Sequence, residues 1–427
     1  MKKIFKNCDI LIKDSDEYRV LENAFLGVDG DVFYYIGTEE PSDKFDEVKD
    51  LSGKLVMPGL YNCHTHSPMV LFRGAGSDKP LDVWLNDYIF PLEEKLTAEK
   101  VEVASYLAIM EMLASGTVSF SDMYFFPEET AKAVAESGIK ANLTKHIQSL
   151  TGEYNQKQID ESLEFIKSFN GTADGRILAD FSIHSQYLCD KETAREYAEI
   201  CKSQNGRLHI HLSETQNEFE ECIKKNSQTP TEWFAEVGAL NFGTFAAHCV
   251  VMNESDINLL VQNKVSVVHC PSSNLKLGSG FSPVPEMIEK GINLTLGTDG
   301  AASNNNLNMF EEMHLASLIH NGRLRDSTVM SADTVIDMAT INGAQVQGRK
   351  NCGEIKLGNK ADFIALDLDK PHLQTGFDKK SLITYSAQGS DVYMTAVNGK
   401  VLYENGEFLT IDKERIMFEI NRNFKKL

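Results

Sequence analysis

The strongest constraint on the fold is a repeated alternation of apolar strands, polar turns and amphipathic helices through the middle of the chain. The helices carry clear end signals: Thr229-Pro230-Thr231-Glu232 has capping-box spacing with proline at the first helical position, and a short helix over 285–290 stops at Gly291. About eight such units over roughly 300 residues predict an α/β fold, a slightly enlarged (β/α)8 TIM-type barrel. The predicted strands end near His64, Asp122, Lys145, His184, His211, His248, His269 and Asp299.

Both ends of the chain show a different pattern, in which short strands are joined by turns. The strand candidates there are 8–12, 28–37, 54–57, 362–367, 393–397 and 400–403. Asn398-Gly399 between the last two is a strong hairpin signal. Neither end has enough strands for a core of its own, so we predict that they pair; two unrelated extensions are the alternative. The predicted division is 1–57 with 360–427 for a composite β-sandwich domain, and 58–359 for the catalytic barrel.

Length and charge restrict the class of partner. A chain of 427 residues suits one large domain plus a smaller one. The formal net charge of −20 argues against binding nucleic acid, because proteins that wrap phosphate backbones need a positive field. A small neutral or cationic substrate agrees better with this charge. The sequence leaves open whether the chain forms a homo-oligomer.

The cysteines and the apolar segments predict the compartment. The eight cysteines are scattered and no two form a Cys-x-x-Cys pair, which is typical of reduced thiols in a cytosolic protein. The first 20 residues lack the apolar run of about 7–15 residues that a signal peptide needs. No uncharged apolar stretch reaches the roughly 18 residues of a membrane span. We therefore expect a soluble cytoplasmic protein.

The histidines cluster at predicted strand ends, where at least six of the eleven lie. In such barrels the chemistry sits at the C-terminal ends of the strands, whereas core packing gives a histidine no reason to choose that end. His64 and His66 follow the apolar strand after Pro58-Gly59. Residues i and i+2 of a strand share a face, so both imidazoles can point at one ion, and imidazole suits Zn²⁺. His-x-His by itself is a weak signal, and its position after this strand strengthens it.

A second His-x-His lies in the segment Arg207–Glu214. His211 is nearer the C-terminal end of the strand and is the predicted third nitrogen ligand, whereas His209 is expected one layer deeper in the barrel. Glu214 falls just past the strand, where the chain can turn it over the metal. The alternative for Glu214 is an acid that interacts with a helix N-terminus.

Two further strand ends complete the predicted cluster. His248 ends the strand 244–248, and Asp299 follows the strand that begins near Ile292. Three imidazoles and one aspartate around an ion leave room for a water molecule, which is the open position that a catalytic zinc requires.

These motifs together resemble the amidohydrolase superfamily, over nearly the whole chain. The closer resemblance is to the 5-methylthioadenosine/S-adenosylhomocysteine deaminase group. It is carried by 64–69, 91–93, 184–189, 247–250, 271–278 and 297–304. The resemblance implies one divalent ion, expected to be Zn²⁺, with four ligands: His64, His66, His211 and Asp299.

The number of ions follows from the fourth strand. Two-metal members of the superfamily carry a modified lysine at the end of that strand. Here the strand 176–184 ends in histidine, and Lys145, which ends the strand before it, is the one competing candidate. We therefore predict a mononuclear site.

The resemblance also implies roles in catalysis and substrate binding. Asp299 acts as general base, His248 orients the attacking water, and Glu214 protonates a ring nitrogen. The predicted substrate contacts are Glu93 (to the ribose hydroxyls), His184 (to the purine), Trp84 (as a wall for the base), Glu214 and Ser303. The alternatives are a solvated acid at Glu93 and simple packing at Trp84.

The expected reaction converts an adenine nucleoside to its inosine analogue plus ammonia. Candidate substrates are 5-methylthioadenosine, S-adenosylhomocysteine, 5'-deoxyadenosine and adenosine. Members that accept homocysteine pair its carboxylate with arginines, whereas this chain has Lys145-His146 and no arginine over 148–157, so S-adenosylhomocysteine is the least expected of the four. The main rival is an amidohydrolase that acts on guanine, cytosine, pterin or triazine rings. A non-catalytic binding barrel is disfavoured, because the complete set of catalytic residues is present.

Overall fold

A computed structural model of the chain describes residues 1–15, 17–148, 154–241 and 243–423. The described residues form the strands β1 (Lys2–Asp14), β2 (Glu17–Asp29), β3 (Val32–Gly37), β4 (Glu47–Asp50), β5 (Lys54–Pro58), β6 (Leu60–Thr65), β7 (Thr117–Met123), β8 (Lys140–Thr144), β9 (Ile177–Ile183), β10 (Leu208–Leu212), β11 (Thr244–His248), β12 (Ser266–His269), β13 (Leu294–Leu296), β14 (Phe363–Asp367), β15 (Val392–Val397), β16 (Lys400–Glu404) and β17 (Glu407–Phe408).

The helices of the same residues are α1 (Leu81–Val83), α2 (Phe90–Glu93), α3 (Ala98–Ala114), α4 (Pro127–Ser137), α5 (Gln156–Phe169), α6 (Thr172–Gly175), α7 (Lys191–Ser203), α8 (Gln216–Asn226), α9 (Pro230–Glu236), α10 (Glu254–Asn263), α11 (Pro271–Lys276), α12 (Val284–Glu289), α13 (Met309–Leu324), α14 (Ala332–Ala339), α15 (Ile341–Val346), α16 (Lys379–Ser381) and α17 (Lys413–Asn423). A π-helical segment, Trp84–Ile89, joins α1 to α2. The predicted capping box at Thr229 and Glu232 is confirmed, and the predicted short helix over 285–290 is α12.

Strands β6 to β13 form an eight-stranded parallel sheet in chain order. The sheet nearly closes, because the backbone N–H of Asp299 beyond β13 donates to the carbonyl of His64 on β6 at 2.9 Å. Gly297 permits this approach, since a Cβ there would lie 2.8 Å from the Cβ of His64. The predicted barrel is confirmed. The predicted and observed strand ends differ most at the last strand, where Asp299 was expected and Leu296 ends β13.

The two ends of the chain pair into one separate nine-stranded sheet. Strand β5 lies between β1 and β14, so that Val56 is opposite Ile10 on one side and Ala365 on the other. The core of this sheet includes Phe5 and Phe363, whose ring centroids lie 5.0 Å apart. The prediction that the ends pair is confirmed, and the alternative of two unrelated extensions is wrong. The division of the chain at 57/58 and 359/360 stays a prediction.

Two further observations concern the cysteines and the helices. All eight cysteines lie in the described ranges and are free thiols, seven of them buried. Among the helices that the structure describes, none has both the length and the apolar character needed to cross a membrane.

Candidate active site

Four predicted ligands meet at the C-terminal end of the barrel. His64 and His66 come from the end of β6, His211 from the end of β10, and Asp299 from the loop after β13. Oδ1 of Asp299 lies 3.4 Å from Nε2 of His64 and 3.3 Å from Nε2 of His66. Nε2 of His66 lies 3.3 Å from Nε2 of His211. Residues more than 200 positions apart in the chain therefore present nitrogen and oxygen atoms to one small volume.

The outer ring nitrogens are held by hydrogen bonds. Nδ1–H of His66 donates to the carbonyl of Met123 at 2.5 Å, and Nδ1–H of His211 donates to the carbonyl of His184 at 2.8 Å. A neutral imidazole carries one proton, so Nε2 of each ring offers a lone pair to the cluster. Both rings therefore have the tautomer and direction of a metal ligand.

The electrostatics of the cluster fit a bound cation. Burial lowers the pKa of His64 to about 4 and holds that of His211 well below its usual range, so both rings are neutral at pH 7. Nε2 of His64 is buried and has no hydrogen-bond partner among the described residues. A positive charge between lone pairs this close together would stabilise them. Three imidazole nitrogens and one carboxylate are a donor set that suits Zn²⁺.

Asp299 is fixed by its immediate surroundings. Its backbone lies in the left-handed region at φ 61°. Oδ2 accepts hydrogen bonds from Ser273 Oγ at 2.6 Å and from Ser303 Oγ at 2.8 Å, which leaves Oδ1 directed at the histidines. Burial alone would raise the pKa of Asp299, but the imidazoles around it, His64 first, hold it well below its usual range. The carboxylate is therefore ionised at neutral pH.

His248 and Glu214 face each other beside the cluster. Nδ1–H of His248 donates to Oδ1 of Asn274 at 2.9 Å, and its Nε2 lies 3.9 Å from Oε2 of Glu214. Burial opposes the charged form of His248, but the carboxylates of Glu214 and Asp299 raise its pKa above the usual value. Burial likewise raises the pKa of Glu214. The pair thus combines an imidazole that can donate from Nε2 with an acid that holds its proton more tightly than a solvated one.

A cavity of about 590 Å³ opens over these residues. This volume is within the usual range of small-molecule sites. It brings together the predicted substrate contacts with most of the cluster; the lining includes Glu93, His184, Trp84, Ser303, Glu214, His248, His66, His211 and Asp299. His64 lies beneath it, bound through Nδ1 to the deeper His209 at 2.9 Å. The position predicted for His209 is therefore confirmed.

The predicted substrate-contact residues differ in the contacts that they make with the rest of the protein. The indole N–H of Trp84 donates to the carbonyl of Ala75 at 2.9 Å, which fixes the ring in the cavity wall. The hydroxyl of Ser303 donates a hydrogen bond to the carboxylate of Asp299. Burial raises the pKa of Glu93, although the hydroxyl of Tyr124 and the imidazole of His66 counter part of the shift. Glu93 is thus a half-buried acid in the lining of the cavity.

The ionisable side chains that line the cavity are acids, histidines and tyrosines. The described lining residues include four carboxylates and no lysine or arginine; the acids are Glu93, Glu94, Glu214 and Asp299. Lys145 is engaged elsewhere, since its Nζ lies 2.8 Å from Oε1 of Glu128. Part of the loop without arginine, 149–153, lies outside the described residues.

Asp122 and Glu218 were missed as functional residues by sequence reasoning. Asp122 accepts hydrogen bonds from Thr65 Oγ1 at 2.8 Å and from the backbone N–H of Ser67 at 2.6 Å, so it clamps the turn that carries His66. Its position at a strand end was the available signal. Glu218 accepts from the backbone N–H of Glu214 at 2.7 Å, and burial raises its pKa to about 7. Its spacing from Thr215 predicts an ordinary capping box, which hides this contact.

A second cavity, of about 980 Å³, adjoins the first. The two share seven lining residues, which are Leu81, Leu85, Phe90, Tyr187, Leu188, Glu214 and Leu277. Glu214 therefore stands on the wall between them.

Comparison with known proteins agrees with this geometry. The model of the amidohydrolase family matches residues 55–402. A 5-methylthioadenosine/S-adenosylhomocysteine deaminase from Caldanaerobacter subterraneus subsp. tengcongensis is 42% identical over 100% of this chain and 99% of its own length. A 5'-deoxyadenosine deaminase from Methanosarcina acetivorans is 41% identical over 97% of this chain and 96% of its own. The crystal structure of an adenosine deaminase from Xanthomonas campestris with bound zinc superposes with a TM-score of 0.92 at 28% identity, covering 98% of this chain and 97% of that one.

Proposed function

Because the chain belongs to the amidohydrolase family, we propose that it is a hydrolytic deaminase of adenine nucleosides that uses one zinc ion. The observation that carries the proposal is the convergence of His64, His66, His211 and Asp299 beside Glu214 and His248, under a cavity of about 590 Å³. The relatives named as deaminases of 5-methylthioadenosine, S-adenosylhomocysteine and 5'-deoxyadenosine support the substrate class.

The proposed ion is single and is held by the three histidines and Asp299. When bound, such a cation acts as a Lewis acid that lowers the pKa of a water molecule from about 15.7 to near 7. The engagement of Lys145 with Glu128 and the presence of His184 after β9 support one ion instead of two.

Three side chains handle protons in the proposed reaction. Asp299, kept ionised by its surroundings, accepts a proton from the attacking water. His248 donates a hydrogen bond from Nε2 that orients this water. Glu214, whose pKa burial raises, gives its proton to the ring nitrogen next to the amino-bearing carbon and makes that carbon more electrophilic.

The bond changes then balance. The water oxygen bonds to the amino-bearing carbon, and the bond from that carbon to the amino nitrogen breaks. The proton held on Asp299 passes to the leaving nitrogen, which departs as ammonia. Redistribution of the remaining protons leaves the inosine analogue and returns Glu214 to its protonated form.

The nucleoside is proposed to lie with its ribose at Glu93 and its purine between His184 and Trp84. A carboxylate can accept hydrogen bonds from two neighbouring hydroxyls, which suits Glu93 as the ribose contact. Ser303 contributes mainly through Asp299, with which it shares a hydrogen bond.

The charge of the cavity favours substrates with a neutral substituent on the ribose. No lysine or arginine is among the described lining residues, so the carboxylate of S-adenosylhomocysteine has no basic partner there. We therefore place 5-methylthioadenosine, 5'-deoxyadenosine and adenosine before S-adenosylhomocysteine. Comparison of kcat/KM for the four nucleosides tests this order, and a clear preference for S-adenosylhomocysteine would overturn it.

A screen for ammonia release tests the function as a whole. The zinc-loaded chain is assayed with the four nucleosides, with free adenine, and with guanine, cytosine, a pterin and a chlorotriazine. We expect turnover of the nucleosides, weak turnover of free adenine because it lacks the ribose contact with Glu93, and none of the other rings. Turnover confined to guanine, cytosine, the pterin or the triazine would reject the proposal.

A further inference from the structure

The bend that carries Glu214 is not held by the strands of the barrel. Strand β10 ends at Leu212, and the next residue, Ser213, takes a left-handed backbone conformation with φ 49°, which side chains disfavour. The carbonyl of Ser213 accepts hydrogen bonds from the backbone N–H groups of Val250 and Val251, both at 3.0 Å. The N–H groups of Ser213 and Glu214 need an acceptor of another kind, because the strand ladder has ended.

The carboxylate of Glu218 supplies that acceptor. Oε2 receives the backbone N–H of Glu214 at 2.7 Å, and Oε1 receives the backbone N–H of Ser213 at 3.3 Å. The amide of Gln186 donates to the same Oε1 at 3.4 Å. One side chain thus binds two successive peptide groups of the bend.

The same chain shows what this glutamate would ordinarily do. Helix α9 begins with Thr229-Pro230-Thr231-Glu232, and there Glu232 accepts from the backbone N–H of the capping residue Thr229 at 2.8 Å. Helix α8 begins with Thr215-Gln216-Asn217-Glu218, which has the same spacing, and the hydroxyl of Thr215 accepts from the N–H of Glu218 at 3.2 Å. The carboxylate of Glu218 instead reaches one and two residues further upstream. The hydrogen bond from the N–H of Glu218 to the hydroxyl of Thr215 is kept. The return hydrogen bond to the carboxylate of Glu218 comes from the bend at Ser213 and Glu214 instead of from Thr215.

Glu218 reaches Glu214 from outside the substrate cavity. Glu214 lines both cavities, whereas Glu218 is among the described lining residues of the second cavity and not of the first. An effect of Glu218 on the reaction must therefore pass through the bend.

We propose that Glu218 is a positioning residue for Glu214: by binding the N–H groups of residues 213 and 214, it fixes the direction in which the Glu214 carboxyl enters the substrate cavity. This inference rests on the proposed function, in which Glu214 is the proton donor. It assigns to Glu218 no contact with the substrate or the ion.

The first test is Glu218→Gln, with Glu232→Gln as the matched control. Glutamine has one acceptor oxygen in place of two, so one N–H of the bend loses its partner. We expect kcat to fall about 10- to 100-fold with KM and bound zinc per chain unchanged. Glu232→Gln removes the equivalent glutamate of α9 and is expected to keep the wild-type kcat. Equal kcat values for the two variants would overturn the proposal.

A double mutant separates positioning from a general loss of structure. If Glu218 acts through Glu214, adding Glu218→Gln to Glu214→Gln should lower kcat no further. An independent loss of the same factor in both backgrounds would refute a role through Glu214.

Crystal structures of wild type and Glu218→Gln give an answer that does not depend on activity. We expect Oε2 of Glu214 to leave its place 3.9 Å from Nε2 of His248 in the variant. An unmoved Glu214 would contradict the inference. Absence of ammonia release from wild type with all adenine nucleosides, together with a displaced Glu214 in the variant, would reject the proposed function and keep the positioning role.

Discussion

Nδ1 of His64 lies 2.9 Å from Nε2 of His209, one layer deeper in the barrel. Both rings are buried, and burial, with the neighbouring imidazoles, keeps the pKa of each below the usual range, so one proton must be shared between these two atoms. When the proton is on Nδ1 of His64, its Nε2 is free to bind a cation. A proton held on Nδ1 of His64 and accepted by Nε2 of His209 is therefore the arrangement in which His64 can serve as the proposed metal ligand.

Replacement of His209 should weaken metal binding, although His209 is not one of the proposed metal ligands. We expect His209→Leu to raise the Kd for zinc about 10- to 100-fold, because His64 loses the partner that orients its ring. Competition with a chromophoric chelator measures this Kd. His320→Leu is the control, since it breaks another buried histidine pair, with His269 at 3.2 Å, that contains no ligand. Equal Kd values for the two variants would contradict the role of His209.

Loss of a hydrogen bond to Asp299 should move the pH profile. Ser273 Oγ donates to Oδ2 at 2.6 Å and stabilises the ionised carboxylate. Ser273→Ala removes that donor, so the pKa of Asp299 rises and the acid limb of kcat/KM should shift to higher pH. Ser282→Ala, which removes a buried hydroxyl that donates to the carbonyl of Cys249 at 2.8 Å, should leave the limb in place. An acid limb of kcat/KM that lies at the same pH in both variants would show that Ser273 does not act through Asp299.

Removal of the metal should cost both activity and stability. A ligand that binds only the folded chain stabilises it by about 2.7 kcal/mol at a free concentration 100 times its Kd. We therefore expect dialysis against a chelator to abolish ammonia release and lower Tm, and added zinc to restore both. A chelated protein that holds no measurable zinc yet keeps full turnover would argue against metal-dependent catalysis.

A buried ion pair joins the sheet of the chain ends to the barrel. Lys140 at the start of β8 binds Asp362, which also accepts from the backbone N–H of Asn398 at 2.9 Å. Burial would raise the pKa of Asp362, but the ammonium of Lys140 lowers it below the usual value. A folded-state pKa below the unfolded one stabilises the fold above about pH 4, and this stabilisation is lost as pH falls through the folded pKa.

Asp362→Asn should therefore lower the free energy of unfolding by about 3–5 kcal/mol at pH 7, because it leaves Lys140 buried without a partner charge. Urea unfolding measures the loss, and the gap between variant and wild type should narrow as pH falls below about 4. Asp367→Asn breaks a more exposed pair with Lys54 and should cost no more than about 1 kcal/mol. Equal losses for the two variants would show that burial does not set the strength of the Lys140 pair.

The residues that sequence reasoning could identify are those whose place follows from strand geometry. His64 and His66 share a face because strands alternate, and the strand-end positions of His211, His248 and Asp299 follow from the barrel. These positions depend on local periodicity, which a single sequence shows directly.

The residues that sequence reasoning missed act through contacts that periodicity does not encode. The clamp of Asp122 on Ser67 joins positions 55 residues apart. The carboxylate of Glu218 departs from the capping box at a bend where Ser213 is left-handed, and a serine in the sequence does not predict that conformation. The ring of His211 is held by the backbone carbonyl of His184. Because every residue has such a carbonyl, no residue type in the sequence predicts this contact.

One cation is proposed to bind where the three imidazoles and Asp299 converge. Anomalous diffraction at the zinc edge from a crystal of the zinc-loaded protein locates such an ion. We predict one peak per chain, about 2.0–2.2 Å from Nε2 of His64, His66 and His211 and from a carboxylate oxygen of Asp299. A peak bound by other residues, or none in a crystal of protein that releases ammonia, would contradict it.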